Sequence, residues 1–262
     1  MRSLLLCCFV VFASCRPADP TPDPEKLPER PRPMVVSATS LERNATGLTI
    51  DSSGQRFVWV RGLGVHKVTS RGAELTLNST AFGMDADFED LAMIDSDRLA
   101  VVAPNEGFVV GANTGLQLSR FCYLPEQLQE GDPSATQRSR SLAFDPAGNR
   151  LYVQPQTFTD FGTRLTSSQL GVFDPASSEP LEWQTFGDTN FSAGGMAVAS
   201  RRSIYLGMHT RLYEYDAETR SFTNWWELNG IIRGIEGLAL DRQAGTLVVL
   251  DFERELVELK LQ

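Results

Sequence analysis

The chain of 262 residues holds only two histidines and four cysteines. The two histidines, His66 and His209, stand too far apart in sequence for a paired-histidine zinc motif, and no CxxC is present. A P-loop and a nucleophile-elbow pattern are also missing, which argues against the nucleotide-phosphate and α/β-hydrolase chemistries that depend on them. Basic residues are in deficit, 24 against 33 acidic ones, for a net charge of −9. DNA, RNA and an anionic membrane face would be repelled, so nucleic acid is not expected as a partner. Long apolar runs are absent as well. The one near the start, Leu4 to Ala13, is too short to span a bilayer.

That short run follows a single basic residue, Arg2, and has the form of a secretory signal. Its end, Phe12-Ala13-Ser14-Cys15, resembles the lipobox of bacterial lipoproteins, in which a cysteine behind two small residues is acylated and becomes the new N-terminus. Phe12 stands where leucine is usual. The resemblance implies lipidation at Cys15 and a membrane partner reached through that lipid. Arg16, rather than Asp, after the cysteine implies an outer-membrane lipoprotein facing the periplasm or the cell surface. The stretch from Arg16 to Pro33, RPADPTPDPEKLPERPRP, is too rich in proline and charge to build a core and reads as an extended tether. The expected division is a signal peptide over 1–14, a tether over 15–33 and one folded domain over 34–262. With Cys7 and Cys8 lost with the signal and Cys15 acylated, Cys122 has no partner and reads as a small buried hydrophobe.

Within the domain one phrase returns five times: GLTIDSSGQRFVWV from Gly47, DLAMIDSDRLAVV from Asp90, SLAFDPAGNRLYV from Ser141, GMAVASRRSIYLG from Gly195 and GLALDRQAGTLVVL from Gly237. Each copy is an apolar strand, a polar turn and a second apolar strand, and the starts at 47, 90, 141, 195 and 237 are 43, 51, 54 and 42 residues apart. The pattern predicts an all-β propeller, with small residues (Thr49, Ala92, Ala143, Ala197, Ala239) where the innermost strands crowd the axis. Third strands follow each copy, but the fifth copy reaches Gln262 without a fourth. The unmatched strand Met34 to Ala38 is placed to supply it and to close the ring. Five blades are expected. Six is the alternative, if Leu118 to Ser139 or Gln154 to Gln169 hides a further repeat.

The phrases Ile235-Glu236-Gly237-Leu238-Ala239 and Phe88-Glu89-Asp90-Leu91-Ala92 resemble the SdiA-regulated family of exported bacterial propellers, and more distantly the NHL-repeat, gluconolactonase-like and phytase-like groups. The resemblance implies a secreted or tethered propeller with a metal or small ligand at the channel mouth. In the other three repeats Thr46, Arg140 and Gly194 stand where the glutamate would be. Glu89, Arg140 and Glu236 are therefore expected around the axis on one face. Loops after the second strands bring Asn105, Glu106, Gln154, His209, Asp251 and Glu253 to that face, together with the irregular stretches Ser119 to Arg138 and Gln154 to Gln169.

Two chemistries fit these residues. In the first, the protein is a monomeric, lipid-anchored propeller that binds a small ligand or an envelope protein on its loop-rich face, with Arg140, Asn105, Gln154 and His209 as contacts. In the second, Glu89, Glu236 and Asp251 hold a divalent cation, Ca or Mg, for lactonase- or phosphoesterase-type hydrolysis with His209 as base. Asp85, Asp87 and Glu89 alternate and would share one side of an extended strand, although a solvated acidic loop explains the run as well. His66, inside a third strand, and Trp225-Trp226, at a strand end, read as packing residues.

Overall fold

The computed structural model describes residues 27–41, 44–82, 88–104, 106–121, 136–159, 164–177, 179–186, 191 and 193–262. Cys7, Cys8, Cys15, the signal segment and the tether up to residue 26, with Asp85, Asp87, Asn105 and Cys122, lie outside them.

Among the described residues twenty strands form five antiparallel sheets of four. Strand β1 (Met34–Ser40) stands apart from its neighbours in sequence. Blade 1 is β2 (Ala45–Ile50), β3 (Arg56–Val60), β4 (Gly64–Thr69) and β5 (Gly72–Asn78). Blade 2 is β6 (Asp90–Met93), β7 (Arg98–Val102), β8 (Gly107–Gly111) and β9 (Gln117–Phe121). Blade 3 is β10 (Thr136–Asp145), β11 (Arg150–Thr159), β12 (Arg164–Phe173) and β13 (Pro180–Thr185). Blade 4 is β14 (Gly195–Ser200), β15 (Ser203–Met208), β16 (Arg211–Asp216) and β17 (Ser221–Glu227). Blade 5 is β18 (Ile235–Asp241), β19 (Thr246–Asp251) and β20 (Glu255–Lys260), and its fourth strand is β1, which runs antiparallel to β20 from Met34 opposite Lys260 to Ser40 opposite Glu255. The five-bladed ring closed by an N-terminal strand is therefore present.

The repeated turns form for a local reason. Asp51 accepts hydrogen bonds from the amides of Ser53 and Gln55 through Oδ1, and Asp241 does the same for Gln243 and Ala244. The side chain thus mimics a backbone turn. The chain then needs a left-handed residue to re-enter the next strand, supplied by Gly54 at φ 81° and Asn149 at φ 48°. Beyond the turns, alternate residues of each strand pack into five apolar clusters, one at each junction of neighbouring blades. Trp59 and Tyr152, from second strands, are fully buried there. His66 is buried, with Nδ1 3.1 Å from the Gly64 carbonyl, and has a structural role.

The structure departs from the sequence reading in blade 3. Gln154 to Gln169 is neither a sixth repeat nor an irregular loop: β11 continues to Thr159 and β12 starts at Arg164, so both are ten-residue strands. Pro155, which would normally end a strand, sits opposite Ser139 at a bulge between Ser139 and Ser141, where the ladder is already interrupted.

The N-terminal segment also makes specific contacts before β1 begins. Trp225 donates from its indole nitrogen to the Leu27 carbonyl at 2.9 Å, the Arg30 amide donates to the Trp225 carbonyl at 2.8 Å, and Arg30 Nε donates to Asn224 at 2.7 Å. Leu27 to Arg30 thus lies along β17 of blade 4, and the chain then crosses to complete blade 5. Trp226 is buried between those blades, and Trp225 packs on Tyr213 with the Arg211 guanidinium 5.4 Å from its ring.

Candidate functional site

The innermost strands share one device. In blades 1, 3 and 5 the register slips by one residue, between Ala45 and Gly47, Ser139 and Ser141, and Ile235 and Gly237. Thr46, Arg140 and Glu236 are the bulged residues. Glu89 and Gly194 hold the same place in blades 2 and 4, where their amides bond the carbonyls of Val102 and Gly207 just before the ladder begins. A bulge re-aims the side chain it carries, and here it sets one residue per blade at the start of the inner strand.

At this mouth Glu89 and Arg140 both come within electrostatic reach of Glu236, as the repeat register implies, and Arg61 joins them. Arg61 pairs with Glu89 at 3.4 Å. Glu236 is half-buried, and burial pushes its carboxyl above the ordinary carboxylate range. Arg140 pulls it down, Glu89 adds to the rise, and Arg61 lowers it again. The Arg140 side chain is exposed and has no ion pair within 4 Å among the described residues. Between Arg140 on blade 3 and Glu236 on blade 5, Gly194 offers no side chain. One could not be added, because a Cβ there would fall 2.0 Å from the Ile235 carbonyl oxygen.

Other predicted residues are used differently. Asp251 is buried, and its Oδ1 accepts the amides of Arg233 and Gly234, both at 2.9 Å, so it caps the segment leading into β18. Gln154 is completely buried within blade 3, accepting from Ser141 Oγ at 3.1 Å and donating to Ser168 Oγ at 2.8 Å. It belongs to an internal polar ladder and is not a loop contact. His209 is exposed in the turn between β15 and β16 at the mouth end, and its carbonyl accepts from the Ile235 amide at 2.9 Å. Glu106 pairs with Arg120, and Glu253 with Arg233 at 2.8 Å. Among the described residues no three His, Cys, Asp or Glu side chains stand close enough to hold a metal ion. Glu89, Glu236 and Asp251 form no such cluster among the described residues, and Asp251 Oδ1 is engaged by backbone amides.

Two residues escape the sequence reading. Arg61 follows a second strand, the same repeat position that drew attention to His209 and Asp251, so its signal was available. Asp90 is the other. It follows the bulge position, where the remaining blades carry Gly47, Ser141, Gly195 and Gly237. Completely buried, it accepts from the amides of Leu48 in blade 1 at 3.3 Å, Leu91 in blade 2 at 2.9 Å and Leu142 in blade 3 at 2.8 Å. A charged residue in a column of glycine and serine was the clue.

The charge balance at the mouth gives a direct expectation. A carboxyl whose folded pKa is raised is penalised once ionised, and the penalty disappears below its unfolded value of about 4.3. Glu236→Gln should raise the melting temperature near pH 7.5, by an amount that solvent screening of this part-exposed group keeps small. The gain should vanish near pH 4. A loss of stability at neutral pH would show that Glu236 is held by its arginine neighbours more strongly than burial opposes it.

No family model matches the chain, and no curated protein matches it. Among solved structures the fold is similar to that of glutaminyl cyclase from Myxococcus xanthus, with a TM-score of 0.61 and 14% sequence identity over 90% of this chain and 98% of that one. At that identity the likeness is one of fold, an all-β propeller.

Proposed function

We propose that this protein is a lipid-anchored envelope propeller that binds a small ligand carrying both an anionic and a cationic group, such as a dipeptide, at the channel mouth. The observation that carries this reading is an exposed Arg140, in no ion pair among the described residues, standing within electrostatic reach of a half-buried Glu236 beside the gap left by Gly194. Arg140 offers a planar fork for a carboxylate, and Glu236 offers an acceptor for an amine. Phe252, 70% exposed in the turn between β19 and β20 at the same end, supplies apolar surface for the rest of a ligand or partner. Acylation of Cys15 places the domain at a membrane; Cys15→Ala should release the protein from the membrane fraction or block its maturation.

A second reading is catalytic. A half-buried carboxyl held above its ordinary range is better suited to carry a proton to and from a substrate than a fully solvated one, and the similar fold belongs to a glutaminyl cyclase. On a glutaminyl peptide the amine would attack the side-chain amide carbon and ammonia would leave, with Glu236 moving the proton. The metal-dependent hydrolase reading, which needs Asp251 as a third ligand, has less support.

One titration separates these readings: a glutaminyl dipeptide and its alanyl counterpart, followed by calorimetry and by ammonia release. Heat from both peptides, lost in Arg140→Ala, with no ammonia, supports binding alone. Ammonia from the glutaminyl peptide only, lost in Glu236→Gln, supports catalysis. Neither heat nor ammonia would overturn the mouth as a binding site for dipeptides.

A further inference from the structure

The inner strands run from the mouth to the opposite face, and there the channel widens into a cavity of about 510 Å³. Its inner wall begins at the level of Leu48, Leu91 and Leu142, so none of the mouth residues lines it. Above that level the strands are too tightly packed for side chains: a Cβ on Gly195 would fall 2.7 Å from the Gly237 backbone, and one on Gly47 would fall 2.7 Å from Asp90 Oδ1. The two ends of the channel are therefore separate sites.

The cavity has the size and mixed lining of a small-molecule pocket. Small residues such as Ala143 and Ala197 leave the space, and half-buried Ile50, Met93, Phe144 and Leu240 give it an apolar wall. The charges at its rim decide what kind of ligand it takes. Arg242 is the only cation among the described lining residues, and its guanidinium is partly engaged. It donates to the carbonyls of Val198 at 2.6 Å and Ala199 at 3.1 Å and lies 3.9 Å from Asp145. Of the rim carboxylates, Asp95 is paired with Arg98 at 2.7 Å and Asp241 faces Arg56 at 4.0 Å. Asp51 differs from both: Oδ1 closes its turn, while Oδ2 has neither a hydrogen bond nor an ion pair among the described residues. An anion would meet three carboxylates, Asp51, Asp95 and Asp241, against the one arginine, whereas a cation finds an acceptor at Asp51.

We propose that this cavity is a second ligand site, independent of the mouth, for a small amphipathic cation whose apolar body lies against Ile50, Met93, Phe144 and Leu240 and whose amine meets Asp51. The test compares cyclohexylmethylamine with cyclohexanecarboxylate, two compact probes that differ in charge sign. It uses calorimetry and the methyl resonances of the methionines. The amine should bind and shift Met93 and Met196, which line the cavity, while leaving Met208, at the mouth end of β15, unmoved. The carboxylate should bind at least tenfold more weakly. Asp51→Asn keeps the amide oxygen that closes the turn and should weaken the amine about tenfold, the equivalent of roughly 1.4 kcal/mol. Ala197→Leu should abolish binding by filling the space, and Asp51→Asn keeps the test decisive if that variant misfolds. Equal binding of both probes, a shift at Met208 instead of Met93, or no binding of the amine would each overturn the proposal.

Discussion

Replacing Asp90 by alanine should destabilise the protein by roughly 3–5 kcal/mol, because it strips the acceptor from three buried amides. Three amides from three consecutive blades converge on this one carboxylate. Without it they are left buried with no acceptor, at a cost of about 1–3 kcal/mol for each unsatisfied group. Water has little room to substitute, because Gly47 and Leu91 close around the site. Burial pushes the Asp90 carboxyl well above the ordinary range, against the pull of the amides of Leu142, Leu91 and Leu48, with Glu89 adding to the rise. Asp90→Asn should fall between the wild type and Asp90→Ala, since it keeps one acceptor but sets an NH₂ donor against amide donors. Urea unfolding measures all three. An alanine variant within 1 kcal/mol of the wild type would show that the inner strands hold together without this bridge.

The second large effect is expected on deleting Met34 to Ser40. The ladder to β20 would be lost and blade 5 left with a bare edge, so stability should fall by roughly 4 kcal/mol or more and aggregation should rise. A polar cluster goes with the strand. Ser37 Oγ, Arg56 and Thr246 all donate to the Glu258 carboxylate, at 3.0, 2.6 and 2.7 Å, linking β1, β3, β19 and β20. Burial alone would raise the Glu258 pKa, but these hydrogen bonds and the Arg56 charge hold it below the usual carboxylate range. A carboxyl depressed in the folded state stabilises fully above its unfolded pKa, about 4.3, and loses that contribution as pH falls through the folded value. The wild type should therefore lose stability through this acid range, and the deletion variant, lacking Ser37, should lose less there. Removing residues 16–26 should cost little. Extending the cut through Pro33 should cost measurably more, because Leu27, Arg30 and Arg32 bond to blade 4 and to the Asn229 carbonyl. If all three truncations melted alike, ring closure by β1 would be disproved.

The propeller was legible because its determinants are local. Alternating strands and the Asp51-Ser52-Ser53-Gly54 type of turn repeat in register, and an orphan strand before the first copy matches a missing strand after the last. The mouth was legible for the same reason: register alone placed Glu89, Arg140 and Glu236 in one ring. What stayed hidden depends on neighbours distant in sequence. Gln154 followed a second strand and preceded Pro155, so it read as the start of a loop, but a bulge in the adjacent strand accommodates the proline and Gln154 is sealed inside. Asp251 looked like a ligand because nothing local shows that two amides some seventeen residues upstream require its oxygen. Asp90 could not be weighed without knowing that three blades meet there.

The pairing of β1 with β20 also fixes an order of events in the life of the chain. Met34 is among the first residues of the domain to be made and its partner Lys260 among the last. Blades 1 to 4 are each continuous in sequence and can form as soon as their own strands are present. Blade 5 must wait until β20 has been synthesised. Until then the array is an open arc with an unpaired edge, so a chaperone or export partner that shields strand edges would act on this protein chiefly before β20 is available.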